Sequence, residues 1–142
     1  MRDSENNIAI VQAIGPVVAA ADATSSAIDL QGFDAATIVV QTGIGGITFT
    51  GTNKIEYVLT HSDDDSTYTA VAQIDVTDNV TVSAGGIIRS LVAAHAAPSA
   101  VKVGYVGGKR YLKVMADFSG THGTGTPLSV AIIKGRPNLL PQ

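Results

Sequence analysis

The chain has 142 residues, a net charge of −3 at pH 7 and no cysteine. This length is typical of one domain that buries about two-thirds of its unfolded surface, and the lack of cysteine excludes a disulfide framework, a thiolate zinc site and a cysteine nucleophile. The acidic balance argues against direct nucleic-acid binding, which depends on Lys and Arg contacts to phosphates, and the low charged fraction of 15% indicates that part of the surface serves contact.

The first apolar run, Ile8–Ala21, predicts an N-terminal arm or a first strand over residues 1–15. Ile8 and Ile10 alternate with their neighbours, and Gly15-Pro16 is expected to end the segment. The leader MRDSENN carries two acids against one base, whereas a signal peptide needs net positive charge. The run is also shorter than the ~20 residues that span a bilayer. We therefore expect a protein made in the cytoplasm, with no membrane partner.

Short alternating segments separated by turn residues predict the next strands. Ala36–Thr42 is apolar on both faces, which is typical of an inner strand covered by the core on one side and by an arm or neighbour on the other. Lys54–His61 alternates clearly, and Ser62–Ser66 predicts a turn because short acidic and hydroxyl side chains bond their own backbone. Residues 87–96 also fit a helical face, but Gly85-Gly86 and the β-branched residues after it favour a strand. Further strands are predicted at Ser26–Gln31, Ile47–Thr50, Tyr68–Ile74, Val80–Val82 and Leu128–Ile132.

Val101–Phe118 predicts a central β-hairpin. Gly107-Gly108 can supply the positive φ that a two-residue turn needs. That register places Val103 opposite Leu112 on an apolar face turned to the core. On the other face it sets Lys102 against Lys113, so either an acid or a partner protein compensates these like charges, or the register differs.

Together these elements predict an all-β fold: a single-domain antiparallel β-sandwich of jelly-roll type with extended terminal arms. No repeat and no linker divides residues 1–142. Residues 135–142 form the predicted C-terminal arm, in which Leu139-Leu140 lies between two prolines and cannot enter a sheet interior. The leucines are either incidental on a frayed end or part of an interaction arm.

No motif predicts catalysis, a cofactor or a metal site. Gly107–Arg110 lacks the spacing and the following helix of a phosphate-binding loop. Asp63–Asp65 lacks the ligand spacing of a calcium loop, and no G-x-S-x-G serine elbow is present. We expect a protein that is not an enzyme and needs no cofactor. The three histidines, which have no metal-ligand spacing, are His61, His95 and His122.

Four segments resemble one family: SSAIDLQGFDAATIVVQTG, THSDDDSTYTAV, GYVGGKRYLKV and FSGTHGTGTPLSVAIIKGRP. They are similar to the head cement, or decoration, proteins of tailed double-stranded DNA bacteriophages, over most of the chain from about Ser25 onward. The resemblance implies a jelly-roll sandwich on the outer surface of the virion capsid, made in the host bacterial cytoplasm. It further implies contact with the major capsid protein and a homo-oligomer, with a dimer favoured over a trimer.

We assign the shell contact to the terminal arms, as a hypothesis. The residues concerned are Ile8, Ile10, Leu139 and Leu140, with Arg136 as a charge partner for an acidic capsid patch. The alternative is a carbohydrate-binding sandwich of a phage surface or fibre protein. Such a module presents exposed aromatic side chains in a groove, and this chain has no Trp.

Overall fold

The structure, a computed structural model, describes residues 3–138. This part of the chain is all-β, with two short 3₁₀ turns at Glu5–Asn7 and Gln73–Asp75 and no α-helix. The strands are β1 (Ile8–Ala19), β2 (Ala23–Thr24), β3 (Ile28–Asp29), β4 (Phe33–Thr42), β5 (Lys54–Ser62), β6 (Thr69–Ala70), β7 (Ile87–Leu91), β8 (Ser99–Tyr105), β9 (Tyr111–Ser119) and β10 (Thr126–Pro137).

The strands form two antiparallel sheets packed against each other. Sheet A has the order β1-β10-β4-β8. In sheet B, β9 pairs with β2 and β3 on one side and with β5 on the other, and β5 also pairs with β6 and β7. If β2 with β3, and β6 with β7, are each taken as one interrupted strand, the two sheets have the strand order of a jelly roll. The predicted all-β sandwich is confirmed.

Side chains from the inner faces of both sheets form one hydrophobic core. Alternate positions of the central strands are fully buried, as the two-residue period of a pleated strand requires. Strand alternation therefore identifies the inward residues of β4, β5, β9 and β10. These include Ile38, Val40, Ile55, Tyr57, Leu59, Leu112, Val114, Ala116, Val130 and Ile132.

The predicted hairpin about Gly107-Gly108 is wrong. β8 belongs to sheet A, where Val103 pairs with Ile38 of β4. β9 belongs to sheet B, where Leu112 pairs with Ile28 and with His61. The segment 106–110 therefore crosses between the sheets, and we call it the crossover loop. Lys102 and Lys113 lie in different sheets, so the like-charge pair that the hairpin required does not form.

The first strand is longer than predicted. β1 continues past Gly15-Pro16 to Ala19, because register shifts between Gln12 and Ile14 and between Ile14 and Val17 absorb the break. Pro16 is tolerated because β1 is the outermost strand of sheet A, where a missing N–H breaks no interior ladder. Of the two readings for the N-terminal segment, the strand is correct.

Several other predicted strands are shorter or absent. β7 confirms a strand in the first part of 87–96, but Tyr68–Ile74 contracts to β6 and a 3₁₀ turn. Ile47–Thr50 and Val80–Val82 are not strands. Around Val80 the backbone groups bond to a side chain instead of a neighbouring strand. The Gln73 amide donates from Nε2 to Val80 O, and its Oε1 accepts from Val82 N.

The predicted turn after β5 is confirmed. The carboxylate of Asp64 accepts hydrogen bonds from the backbone N–H groups of Ser66 and Thr67 and from the Ser62 hydroxyl. These bonds favour the charged form and lower the pKa of Asp64 to about 2. The acidic run is thus a turn stabilised by its own side chain.

Candidate interaction face

The two outer faces of the sandwich differ in charge. The outer face of sheet B carries Lys54 and Glu56 on β5, and Lys113 and Asp117 on β9. On sheet A the outward positions of Ile8–Gln12, Ala35–Gln41 and Ser129–Ile133 carry no charged side chain. We call this outer surface of sheet A the A face; the one charge on its outward strand positions is Lys102, on the outermost strand β8.

The A face is continuous because its apolar and small residues stand side by side in neighbouring strands. Ile10 pairs with Ile133, which pairs in turn with Thr37. In the next row Ala131 lies between Gln12 and Val39. Ile10 is 65% exposed, the most exposed isoleucine of the four strands. Contiguous apolar residues mark an interaction site more often than scattered ones do, and the one charge beside these rows is Lys102, which pairs with Val39.

A shallow apolar cleft of about 740 Å³ lies at one end of the A face. It forms where the ends of β1 and β4 meet the starts of β8 and β10. Pro16, Pro98 and Pro127 line it together with the exposed Val17 and Val18. Proline has no N–H to donate, so the cleft offers apolar surface rather than specific polar contacts.

Two hydroxyl groups in the wall of the cleft are already hydrogen-bonded. The Ser99 hydroxyl accepts from Arg89 Nη2 at 2.8 Å and lies 3.2 Å from His95 Nε2. The Thr42 hydroxyl lies 2.9 Å from Tyr57 Oη. Because these groups bond to residues behind the wall, they add little polar character to the cleft.

The opposite end of the sandwich has a polar pocket of about 460 Å³. Its charged side chains include Arg110, which donates from Nε and Nη2 to the two carboxylate oxygens of Asp29 at 2.9 and 2.8 Å. This bidentate bond lowers the pKa of Asp29 to about 2. The Nζ atom of Lys109 lies 3.7 Å from Oδ2 of Asp63. The two basic side chains of this pocket, Lys109 and Arg110, therefore each lie against an acidic side chain.

A buried histidine lies beside the polar pocket. His61 Nδ1 is 2.9 Å from Tyr105 Oη, and its Nε2 is 3.9 Å from Asp75. Tyr105 Oη also accepts a hydrogen bond from Lys109 N. Burial lowers the pKa of His61, although Asp75 opposes this effect, and burial raises the pKa of Tyr105. The contact between His61 and Tyr105 therefore joins the two sheets, and Tyr105 also binds Lys109 of the crossover loop.

The residues assigned to shell contact lie partly on the A face. Ile8 and Ile10 point outward from β1, and Arg136 is exposed near the end of β10. Leu139 and Leu140 lie outside the described residues. The sequence did not single out Val39, Ala131 and Ile133. The sequence contained one signal for this face, because β4 is apolar on both sides. The structure confirms that β4 is an inner strand, and within residues 3–138 no other element covers its outer side.

Neither a metal-binding cluster nor a membrane-spanning helix is found within residues 3–138. Among the described residues, no group of three His, Asp or Glu side chains could hold a metal ion. Within residues 3–138 no helix is long and apolar enough to cross a membrane. No protein-family model matches the chain, and no curated protein sequence matches it.

Proposed function

We propose that the protein is a structural virion protein that binds the outer surface of a phage capsid and cements neighbouring major capsid proteins against internal pressure. The observation that supports this proposal is the A face, whose one outward charge is Lys102 on an outermost strand, whereas the other side of the sandwich carries Lys54, Glu56, Lys113 and Asp117. On this proposal the protein is made in the host bacterial cytoplasm and resides on the outside of the virion as a homo-oligomer.

The A face has the physical properties that a cement contact needs. Burial of apolar surface contributes roughly 25 cal/mol per Å², so an extended apolar face can bind a shell without specific polar contacts. Many copies on one shell convert a weak individual contact into strong overall attachment. A β-sandwich of two packed sheets is rigid enough to hold two capsid subunits at a fixed distance.

The A face also revises where the contact is expected. Ile8 and Ile10 remain contact residues because they point outward from β1. Ile133 joins them because it pairs with Ile10. Ala131 and Val39 join them because they form the next row of the sheet with Gln12. Arg136 remains the proposed partner of an acidic capsid patch, and Leu139 and Leu140 remain proposed parts of the C-terminal arm.

Co-sedimentation with expanded capsid shells that lack the protein tests this proposal. The wild-type chain should bind at saturable stoichiometry and raise the temperature at which the shells disrupt. Val39→Lys on the A face should reduce occupancy strongly. Val58→Lys is a matched control, since Val58 is also a half-buried outward valine on an inner strand, but in sheet B. Equal occupancy for the two variants would contradict the assignment of the A face.

The carbohydrate-binding alternative has weaker support. Tyr57 and Tyr105 are buried. The cations of Lys113 and Arg110 lie over the rings of Tyr68 and Tyr111, at 4.2 and 4.9 Å from the ring centres. An aromatic platform for sugar rings needs uncovered faces. A glycan-binding screen with a positive result, together with no binding to shells, would favour this alternative.

A further inference from the structure

β1 is a free edge of sheet A. Within residues 3–138 it pairs with β10 alone. The other edge strand, β8, is partly covered: Thr77 N donates to Gly104 O, and Asn79 Nδ2 donates to Lys102 O. An uncovered edge presents unpaired N–H and C=O groups, which are a template for a strand of another chain.

The usual protections of an edge strand are confined to one half of β1. Native edges are blocked by charged side chains, proline or bulges. Both register shifts and Pro16 fall in the second half of the strand, after Gln12. From Ile8 to Gln12 the pairing with β10 is regular and no residue is charged. This first half therefore remains open to pairing.

We propose that the edge Ile8–Gln12 pairs antiparallel with the same edge of a second copy, about a two-fold axis at Ile10. The four-stranded A sheets of the two copies then become one continuous sheet. Ile10 stands beside Ile10 of the partner, and Ile8 beside the partner's Gln12, so the most exposed isoleucine of the edge gains an apolar neighbour while its outward side stays on the A face.

A second copy fits this edge better than an unrelated strand for two reasons. A two-fold contact requires a surface that is complementary to itself. The five-residue stretch meets this requirement because its centre is apolar and no side chain brings a like charge opposite itself. An unrelated partner strand is selected by pockets for its alternate side chains, and Ile8–Gln12 lines neither the apolar cleft nor the polar pocket.

The dimer can be tested on the free protein, independently of any capsid. Sedimentation velocity over a range of concentrations should show a dimer for the wild-type chain. Ile10→Lys places two lysines side by side, and the dissociation constant should rise at least about tenfold. Ile74→Lys is the control, because Ile74 is 84% exposed on the 3₁₀ turn Gln73–Asp75 and lies on neither sheet. At concentrations at which the wild type is monomeric, the melting temperatures of both variants should match that of the wild type.

A charge-exchange experiment tests the position of the axis. Ile10→Lys and Ile10→Glu should each be monomeric alone and should form a heterodimer when mixed, because residue 10 faces residue 10. A mixture that stays monomeric would reject pairing centred on Ile10.

Two further results would overturn the proposal. One is a wild-type dimer that Ile10→Lys leaves intact. The other is a wild-type chain that stays monomeric at every concentration, whether or not it binds shells. If the wild-type chain formed the dimer but did not bind shells, the result would contradict the proposed function and would still support the dimer.

Discussion

The hydroxyl of Tyr105 lies 2.9 Å from Nδ1 of His61, and this contact joins sheet A to sheet B. The same hydroxyl accepts a hydrogen bond from Lys109 N in the crossover loop. Val106 N, at the start of that loop, donates to Asp75 O. The path of the chain between the sheets is therefore fixed by a buried polar group rather than by a local turn.

Stability is expected to fall as the pH falls below 6.5, because burial lowers the pKa of His61 from that value. The unfolded chain then binds a proton that the folded chain resists, so acid favours unfolding in the range between the unfolded and folded pKa values. Asp75 and Asp63 oppose this shift and Lys109 reinforces it. Melting temperatures measured from pH 8 to pH 5 should decline less steeply for His61→Gln than for the wild type. Parallel curves would show that His61 is not responsible.

A second buried hydrogen bond joins the sheets at the other end of the sandwich. Tyr57 Oη in β5 lies 2.9 Å from the Thr42 hydroxyl in β4, and burial raises the pKa of Tyr57. Tyr57→Phe should lower the free energy of unfolding by about 1–2 kcal/mol, since it leaves a buried Thr42 hydroxyl without its partner. The double variant with Thr42→Val should recover part of this loss, because it removes both polar atoms. Urea unfolding measures both effects, and a fully stable Tyr57→Phe would exclude a contribution from the bond.

Two glycine loops that follow β4 and β9 pack backbone to backbone. A Cβ atom on Gly46 would clash with the backbone oxygen of Gly125, whereas a Cβ on Gly51 would meet no atom within 4 Å. Gly46→Ala should therefore lower the free energy of unfolding by about 1–3 kcal/mol, as overpacking does. Gly51→Ala should change it by less than about 1 kcal/mol. Equal stabilities of the two variants in urea unfolding would contradict this contact.

Alternation in the sequence is enough to identify inward residues but not the strand that pairs with them. Val103 and Leu112 are both fully buried, as their spacing predicts. The wrong hairpin followed from Gly107-Gly108, which has the composition of a tight turn. One of its actual neighbours, Asp75, approaches Gly107 from another part of the chain. Such contacts between distant parts of the chain leave no trace in local spacing.

The A face was predictable in character but not in position. Low charge and the two apolar sides of β4 indicated a contact surface. The rows that make it continuous, such as Ile10 beside Ile133, bring together the two ends of the chain. Because that pairing is set by the jelly-roll topology, strand order had to be known before the residues of the face could be named.

The far end of the crossover loop provides the last prediction. Arg110 donates two parallel hydrogen bonds to Asp29 of β3. These bonds lower the pKa of Asp29 from 3.8 to about 2. The contact therefore stabilises the folded protein above about pH 4, and this contribution is lost as the pH falls through about 2. Arg110→Lys should lower the melting temperature at pH 7, because an ammonium group cannot make the bidentate contact.

Both partners of this pair are partly exposed, so the effect should be small and should diminish when the salt concentration is raised from about 0.05 M to about 0.5 M. Lys109→Arg at the neighbouring position is the control and should leave the melting temperature unchanged. A loss for Arg110→Lys that is independent of both salt and acid would show that its packing, rather than its charge, anchors the loop.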